Sequence, residues 1–301
     1  MDLALKSLLI KLRGTQPLNY LTTTTLRAFV GGTASTSERI VRHVQRLGPV
    51  ECKLPNNRTL RLKSQLDDYI PNRVFWMGLD GYEPETAPVF FRLAQRSAVT
   101  LDIGSHIGLF ALIAGHANER GRVYAFEPVP EIAKRLKHHV EINGLKNVTC
   151  VETAVSDFDG TSEIYHGAGA AFTGSLSKQF MHWQTDWKTT EVSVITIDRF
   201  VRDNDIPKID LVKIDTESTE PQVLRGMIAT IERDRPNIIC EVLATLGVEE
   251  PLAEILKPFG YKFYQLTDEG IVHRSALEGS LEFRNYLFSV VPPHEISALA
   301  S

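Results

Sequence analysis

Leu101-Asp102-Ile103-Gly104-Ser105-His106-Ile107-Gly108 is an apolar run that breaks at a glycine turn and resumes as a helical pattern. Gly104 lets the backbone pass close to a ligand, and Gly108 permits tight helix-to-strand packing. The next apolar run, 122–126, ends in Glu127-Pro128, about 20 residues after the turn. A carboxylate at that point is placed to accept both hydroxyl protons of a ribose. A dinucleotide needs helix-start amides for its pyrophosphate, normally in a G-x-G-x-x-G turn, whereas the spacing here is G-x-x-x-G. With Asp102 ahead of the loop, the arrangement suits a cofactor that has no phosphate and carries a positive sulfonium and ammonium end. His106 reads as a polar lining residue of that loop, not a catalyst.

A second constellation follows in Lys213-Ile214-Asp215-Thr216-Glu217-Ser218-Thr219-Glu220. Alternate side chains of a strand share a face, so Lys213 and Asp215 point the same way, and Asp215 and Glu217 lie at the carboxyl end where ligands of parallel sheets bind. Asp215 is the first candidate for a general base and Glu241, which closes the next apolar run, the second. Lys213 qualifies only if burial depresses its pKa; otherwise it is a buried cation neutralised by a carboxylate. Glu217 and Glu220 also suit the start of the next helix. Tyr82 and Glu83, before the sheet, have two readings, closing over the cofactor or capping a helix. In the segment 166–190, Phe172, Phe180, Trp183 and Trp187 offer faces for stacking on sugar rings, or for an oligomer contact or lid core; Trp183 is the substrate-binding candidate. His166, His182 and His273 lack metal-ligand spacing, so no metal is expected.

These residues need a scaffold, and from residue 98 onward apolar runs alternate with amphipathic stretches in the manner of a parallel sheet covered on both faces. Strands are predicted at 99–103, 122–126, 147–151, 209–214, 236–242, 261–266 and 284–291, with helices near 107–118, 130–142, 218–233 and 248–258. The expected fold is therefore an α/β, Rossmann-like domain over 98–301 with a mostly parallel seven-stranded sheet. Alternating runs at 161–166 and 191–197 mark an insertion at about 160–197, and insertions of that kind cover or shape a site. Residues 1–97 read as an N-terminal helical and β-hairpin extension. Within it, 1–13 form an amphipathic helix, 21–35 a polar glycine-containing stretch and 37–47 a second helix; the hairpin turns at Pro55-Asn56-Asn57. The first helix has two readings, packing on protein or peripheral contact with a membrane.

A net charge of -4 gives no electrostatic footprint for phosphate backbones, which disfavours nucleic acid and favours a small-molecule or glycan acceptor. Cys52, Cys150 and Cys240 lie far apart, the last two in apolar runs, and read as core thiols. No run approaches the roughly 18 to 20 apolar residues of a membrane span, so a soluble, reducing, cytoplasmic setting is expected. A homo-oligomer is compatible with the sequence.

The ordered motifs G-Y-E-P-E, D-I-G-S-H-I-G, A-F-E-P, A-V-S-D, T-I-D-R-F, D-L-V-K-I-D-T-E and R-P-N-I-I-C-E resemble the FkbM-type methyltransferase family across about residues 75–245. The resemblance implies a class I methyltransferase fold, S-adenosylmethionine as donor and an oxygen acceptor on a sugar, glycolipid or polyketide-like molecule. By position it implies that Asp102, Gly104 and Gly108 line the methionine part, Glu127 holds the ribose, and Ala154, Val155 and Asp157 lie near adenine. Glu83 and His106 join the cofactor set, while Asp215, Glu217 and Glu241 face the acceptor. The chain departs from the family pattern at Ser105-His106, where Ala-Asn is common, and at Ser218, where glycine is usual. Two other readings stand beside this one: a catalytically inactive cofactor-binding scaffold and an NAD(P)-dependent oxidoreductase.

Overall fold

The computed structural model describes residues 15–31, 36, 38–65, 68–167, 174–177, 187–244 and 247–296. The expected helix at 1–13 and the candidate Trp183 lie outside them. The described residues divide into two compact units, one up to Ala87 and the other from Pro88.

The first unit holds helices α1 (Gln16–Val30) and α2 (Glu38–His43), the hairpin β1 (Gly48–Lys53) and β2 (Thr59–Ser64), and α3 (Tyr69–Met77). The hairpin forms as expected, antiparallel, with Asn57 in the left-handed turn conformation at φ 65°. Helix α1 takes up the first part of the polar, glycine-containing stretch at 21–35, running through Thr22–Thr25 to Val30. Threonine is a poor helix former, but here tertiary contacts outweigh propensity. Thr23 donates to the Asn19 carbonyl, and the buried Arg46 guanidinium donates to Thr23, Thr24 and the Tyr20 carbonyl. The second expected helix stops at His43, so that the Arg46 and Leu47 amides are free to donate to the Asn72 and Asn19 side chains.

The second unit is the expected Rossmann-like α/β domain. Its strands are β3 (Val99–Ile103), β4 (Arg122–Phe126), β5 (Val148–Val151), β6 (Ala154–Val155), β7 (Gly160–Gly167), β8 (Gly174–Ser175), β9 (Trp187–Ile195), β10 (Leu211–Ile214), β11 (Asn237–Glu241), β12 (Lys262–Thr267), β13 (Gly270–Arg274) and β14 (Asn285–Ser289). Its helices are α4 (Thr86–Arg96), which begins at the boundary, α5 (Leu109–Ala117), α6 (Pro130–Asn143), α7 (Ile197–Asp203), α8 (Glu220–Arg225), α9 (Ile228–Asp234) and α10 (Glu249–Leu256). The main sheet runs β13-β12-β14-β11-β10-β3-β4-β5 and is parallel from β5 to β11, with β14 antiparallel between β11 and β12.

Among the described residues this sheet has eight strands, one more than expected. The addition is β13, a largely exposed edge strand without the continuous apolar run that marks the buried ones. The insertion builds its own small sheet, β6-β9-β7-β8. The expected helix 218–233 is split into α8 and α9, since at Gly226 a Cβ would fall 2.0 Å from the Ser156 carbonyl oxygen. A close backbone contact with β6's following residue thus takes precedence over helix continuity.

Alternation along β3 divides the two layers. Val99, Leu101 and Ile103 enter the core formed with Phe200, Val223, Leu224, Ile231 and Leu252 from α7 to α10. The opposite face carries Asp102, beside Lys213 in the β3–β10 register, and is covered from α5 by Phe110, whose ring lies 4.5 Å from the Lys213 ammonium and meets Phe90 of α4 edge-on at 5.1 Å.

Candidate active site

Two carboxyl-terminal rims adjoin at the centre of the sheet. At the first, β3 breaks into its turn because Gly104 and Gly108 adopt φ 79° and 92°, with His106 at φ 50° between them. A Cβ at Gly104 would lie 1.8 Å from the Asp215 carbonyl oxygen, so what this glycine admits is the neighbouring strand-end loop. A Cβ at Gly108 would lie 2.3 Å from Leu136 Cδ1, which locates the tight packing at α6. The amides of Gly104 and Ser105 both donate to the Phe126 carbonyl, that of Gly108 to the Ser105 carbonyl, and that of His106 to Glu127 Oε2 at 3.0 Å.

Glu127 is consequently clamped, with its other oxygen accepting from the Val129 amide at 2.9 Å. Its own amide donates to the Val151 carbonyl, so the segment leading into Ala154 and Val155 adjoins it. Ala154 and Val155 are buried in β6, and Asp157 forms an ion pair with Arg225 at 3.3 Å on the surface. Burial pushes the Glu127 carboxyl up to about 7, against the two amide hydrogen bonds that favour its charged form. Burial likewise raises Asp102 to about 6, although Lys213 opposes it. Glu83 lies in the first unit with φ 46°, and its carbonyl accepts from the Thr86 and Ala87 amides, which is the helix-start geometry anticipated as its second reading.

The second rim is built on β10. Lys213 is 1% exposed and donates to Asp215 Oδ2 at 3.0 Å, with Asp102 beside it in register and Phe110 beneath. Beyond Asp215 the chain takes two successive left-handed residues, Glu217 at φ 54° and Ser218 at φ 83°. Glu220, 1% exposed, receives the Thr216 amide, the Thr216 hydroxyl and the Ser218 amide on Oε1 at 3.0, 3.2 and 3.2 Å. From the insertion, Ser175 donates to the Glu217 carbonyl at 2.7 Å. Glu217 is held above the ordinary carboxylate range by burial first, then by the charges of Asp215 and Glu220, with Arg284 and Lys213 acting against them. Burial also raises Glu220 to about 7. Glu241 ends β11 and faces Arg284 Nη1 at 3.7 Å.

The structure thus brings together Asp102, Gly104, His106, Gly108 and Glu127 at one rim and Lys213, Asp215 and Glu217 at the next, with Glu241 at the end of the adjoining strand. Sequence reasoning missed three contributors. Glu220 was readable only as a helix-start acid, Ser175 sits in an insertion without a motif, and Arg284 precedes the last strand in a stretch that no pattern singles out.

The residues fit S-adenosylmethionine better than a dinucleotide. Asp102 Oδ2 is buried with no hydrogen-bond partner among the described residues, which suits a cationic group. Glu127 presents a buried carboxylate at the same rim, and the amides of Gly104, Ser105, His106 and Gly108 are already engaged within the protein, away from any pyrophosphate. Among the described residues, no cluster of His, Cys, Asp and Glu is arranged to hold a metal ion, and no helix is long and apolar enough to cross a membrane.

A sheet ordered β5-β4-β3-β10-β11-β14-β12 with β14 alone reversed among these seven defines a class I methyltransferase fold. The sequence pattern of the methyltransferase FkbM domain matches residues 102–263, and the chain belongs to that family, whose methyl donor is S-adenosylmethionine. Similar curated proteins include the AMB antimetabolite synthetase AmbE of Pseudomonas aeruginosa, 28% identical over 55% of this chain and 10% of that protein. Another is the hexuronic acid methyltransferase AglP of Haloferax volcanii, 25% identical over 50% of this chain and 58% of that protein. The chain therefore spans less than two thirds of either relative's length. Among solved structures, the FkbM methyltransferase of Methylobacillus flagellatus KT aligns with TM-score 0.41 and 14% identity, covering 64% of this chain and 43% of that one. The O-methyltransferase of Bacillus cereus in complex with SAH aligns with TM-score 0.40 and 13% identity, covering 69% and 81%.

Proposed function

We propose that the protein transfers the methyl group of S-adenosylmethionine to a hydroxyl of a sugar-like acceptor, and that Asp102 and Glu127 hold the donor while Asp215, Glu217 and Glu241 face the acceptor. The observation that carries this reading is the engagement of the β3-loop amides with Phe126, Ser105 and Glu127, which leaves the rim to carboxylates. Such a rim attracts a cationic donor and accepts hydrogen bonds from hydroxyl groups. The donor supplies an electrophilic methyl group on a sulfonium whose charge is lost in the reaction. The protein's part is alignment of the acceptor oxygen and removal of its proton.

Glu217, beyond the end of β10, has the raised proton affinity that a base acting on a hydroxyl needs. Asp215, the first sequence candidate, is tied by Lys213, and in this reading it orients the acceptor. Lys213 acts as the buried cation that keeps Asp102 and Asp215 together. Glu241, tempered by Arg284, offers a further acceptor contact at the neighbouring strand end. The similarity to AglP, a hexuronic acid methyltransferase, supports a sugar acceptor.

Two measurements test the proposal. Calorimetric titration with S-adenosylhomocysteine, with NADH in parallel, is expected to show selective binding of the former. In Glu127→Ala the affinity falls by about 100-fold, corresponding to the roughly 1.5 to 3 kcal/mol of charge-assisted hydrogen bonding lost. Turnover is then assayed with methyl glycosides and methyl glycosiduronates as acceptors. Glu217→Gln is expected to lose at least about 100-fold in kcat with donor affinity kept. Binding of NADH alone would sink the cofactor assignment, and donor binding without turnover on any acceptor would favour a scaffold.

A further inference from the structure

The backbone from Asp215 to Thr219 is an expensive one for its sequence. Glu217 and Ser218 are both in the left-handed region, which costs a non-glycine residue on the order of 1 to 3 kcal/mol each. Such a conformation persists only where the surroundings over-determine it. The surroundings here converge on one side chain. Glu220 Oε1 accepts from the Thr216 amide, the Thr216 hydroxyl and the Ser218 amide, and thereby binds the residues on both sides of Glu217.

The geometry points to Glu220 as the positioning residue of this loop, the group that holds the backbone in the form that presents Glu217 to the acceptor. The inference rests on the reading of Glu217 as an acceptor-facing carboxylate. Glu220 is buried and reaches the reaction only through Glu217, so it is not itself a catalytic residue. Its second effect is electrostatic. The groups acting on Glu217 are Asp215 and Glu220, which favour its protonated form, and Arg284 and Lys213, which favour its charged form. Ser175, from the insertion, fixes the Glu217 carbonyl independently of all of them.

Removing the carboxylate and removing only its charge separate these roles. In Glu220→Ala, hydrogen exchange of the Thr216 and Ser218 amides is expected to accelerate at least about tenfold, while Glu220→Gln, which keeps an acceptor oxygen, retains most of the protection. In the glutamine variant the titration midpoint of Glu217, followed by carboxyl 13C NMR, is expected to move to lower pH. S-adenosylhomocysteine affinity within about threefold of the parent in both variants shows that the donor rim is intact. Unchanged amide protection in the alanine variant, or an unmoved Glu217 titration in the glutamine variant, would overturn the inference. Should the alanine variant not fold, the glutamine titration decides alone. Turnover in Glu217→Gln is the separate test of the catalytic reading; if it persists while the exchange and titration results hold, the base assignment fails and the positioning role stands.

Discussion

The rim at β3 and β4 and the rim at β10 and β11 are adjacent and both acidic, yet they are constructed differently. In the first, positive φ falls on Gly104 and Gly108 as well as His106, and the carboxylate of Glu127 is clamped by backbone amides. In the second, positive φ falls on Glu217 and Ser218, and side chains hold the loop: Glu220 from the following helix and Ser175 from the insertion. A glycine-built turn is relaxed and depends on close backbone approach. A loop of side-chain-bearing residues stores strain and depends on the groups that restrain it. Under the proposed function, that contrast sets a donor rim common to many acceptors against an acceptor rim shaped by its own surroundings.

The sharpest way to break the comparison is at the seam. A Cβ at Gly104 collides with the Asp215 carbonyl at 1.8 Å in a left-handed conformation, so Gly104→Ala is expected to remove several kcal/mol of stability, on the order of 4 or more, and S-adenosylhomocysteine binding with it. Thermal denaturation and calorimetry check this, and a stable, binding-competent variant would show that the two rims are not in contact. Lys213→Met comes next. It strips the counter-charge from Asp102 and Asp215 inside the sheet and is expected to cost about 3 to 5 kcal/mol in denaturant titration. A cost below about 1 kcal/mol would show that the buried carboxyls do not need Lys213 as their counter-charge.

Acidity supplies a gentler perturbation. Asp102, Glu127 and Glu220 have folded-state values near 6, 7 and 7, above the range of an unfolded carboxyl. A raised carboxyl contributes stability that is fully present below its unfolded value and is lost as pH rises through its folded value. The melting temperature of the free protein is therefore expected to fall between about pH 5 and pH 8. Donor binding near pH 6.5 is expected to release protons as Glu127 ionises to meet the ribose, visible as a dependence of the binding enthalpy on buffer ionisation. A melting temperature that climbs over this window would contradict the buried-acid description. The smallest effect belongs to the acceptor rim alone. Ser218→Gly relieves a left-handed residue and is expected to add about 1 kcal/mol in chemical denaturation, with S-adenosylhomocysteine affinity unchanged.

How far each rim was legible follows from the same contrast. The D-I-G-S-H-I-G turn and Glu127 were readable because their chemistry is local: a strand end, a glycine and a carboxylate at a fixed spacing. Strands β3 to β5, β10 to β12 and β14 were readable as apolar runs, and β13 escaped because an exposed edge strand carries no such signal. Helix α1 escaped because Arg46, distant in sequence, engages its threonine-rich stretch. The departure from glycine at Ser218 was visible, but its consequence required φ 83° and the carboxylate that compensates for it.

By itself the sequence determined the alternation of strands and helices, the order of the motifs and the residue types at the strand ends, because these follow from short-range periodicity and backbone preference. The tertiary structure alone decided that Asp102 stands beside Lys213 in register, that Gly104 abuts the Asp215 carbonyl, and that Ser175 and Arg284 act on Glu217. Those relations join residues remote in sequence, and the proton affinity of a carboxyl depends on the burial and charges that such neighbours bring.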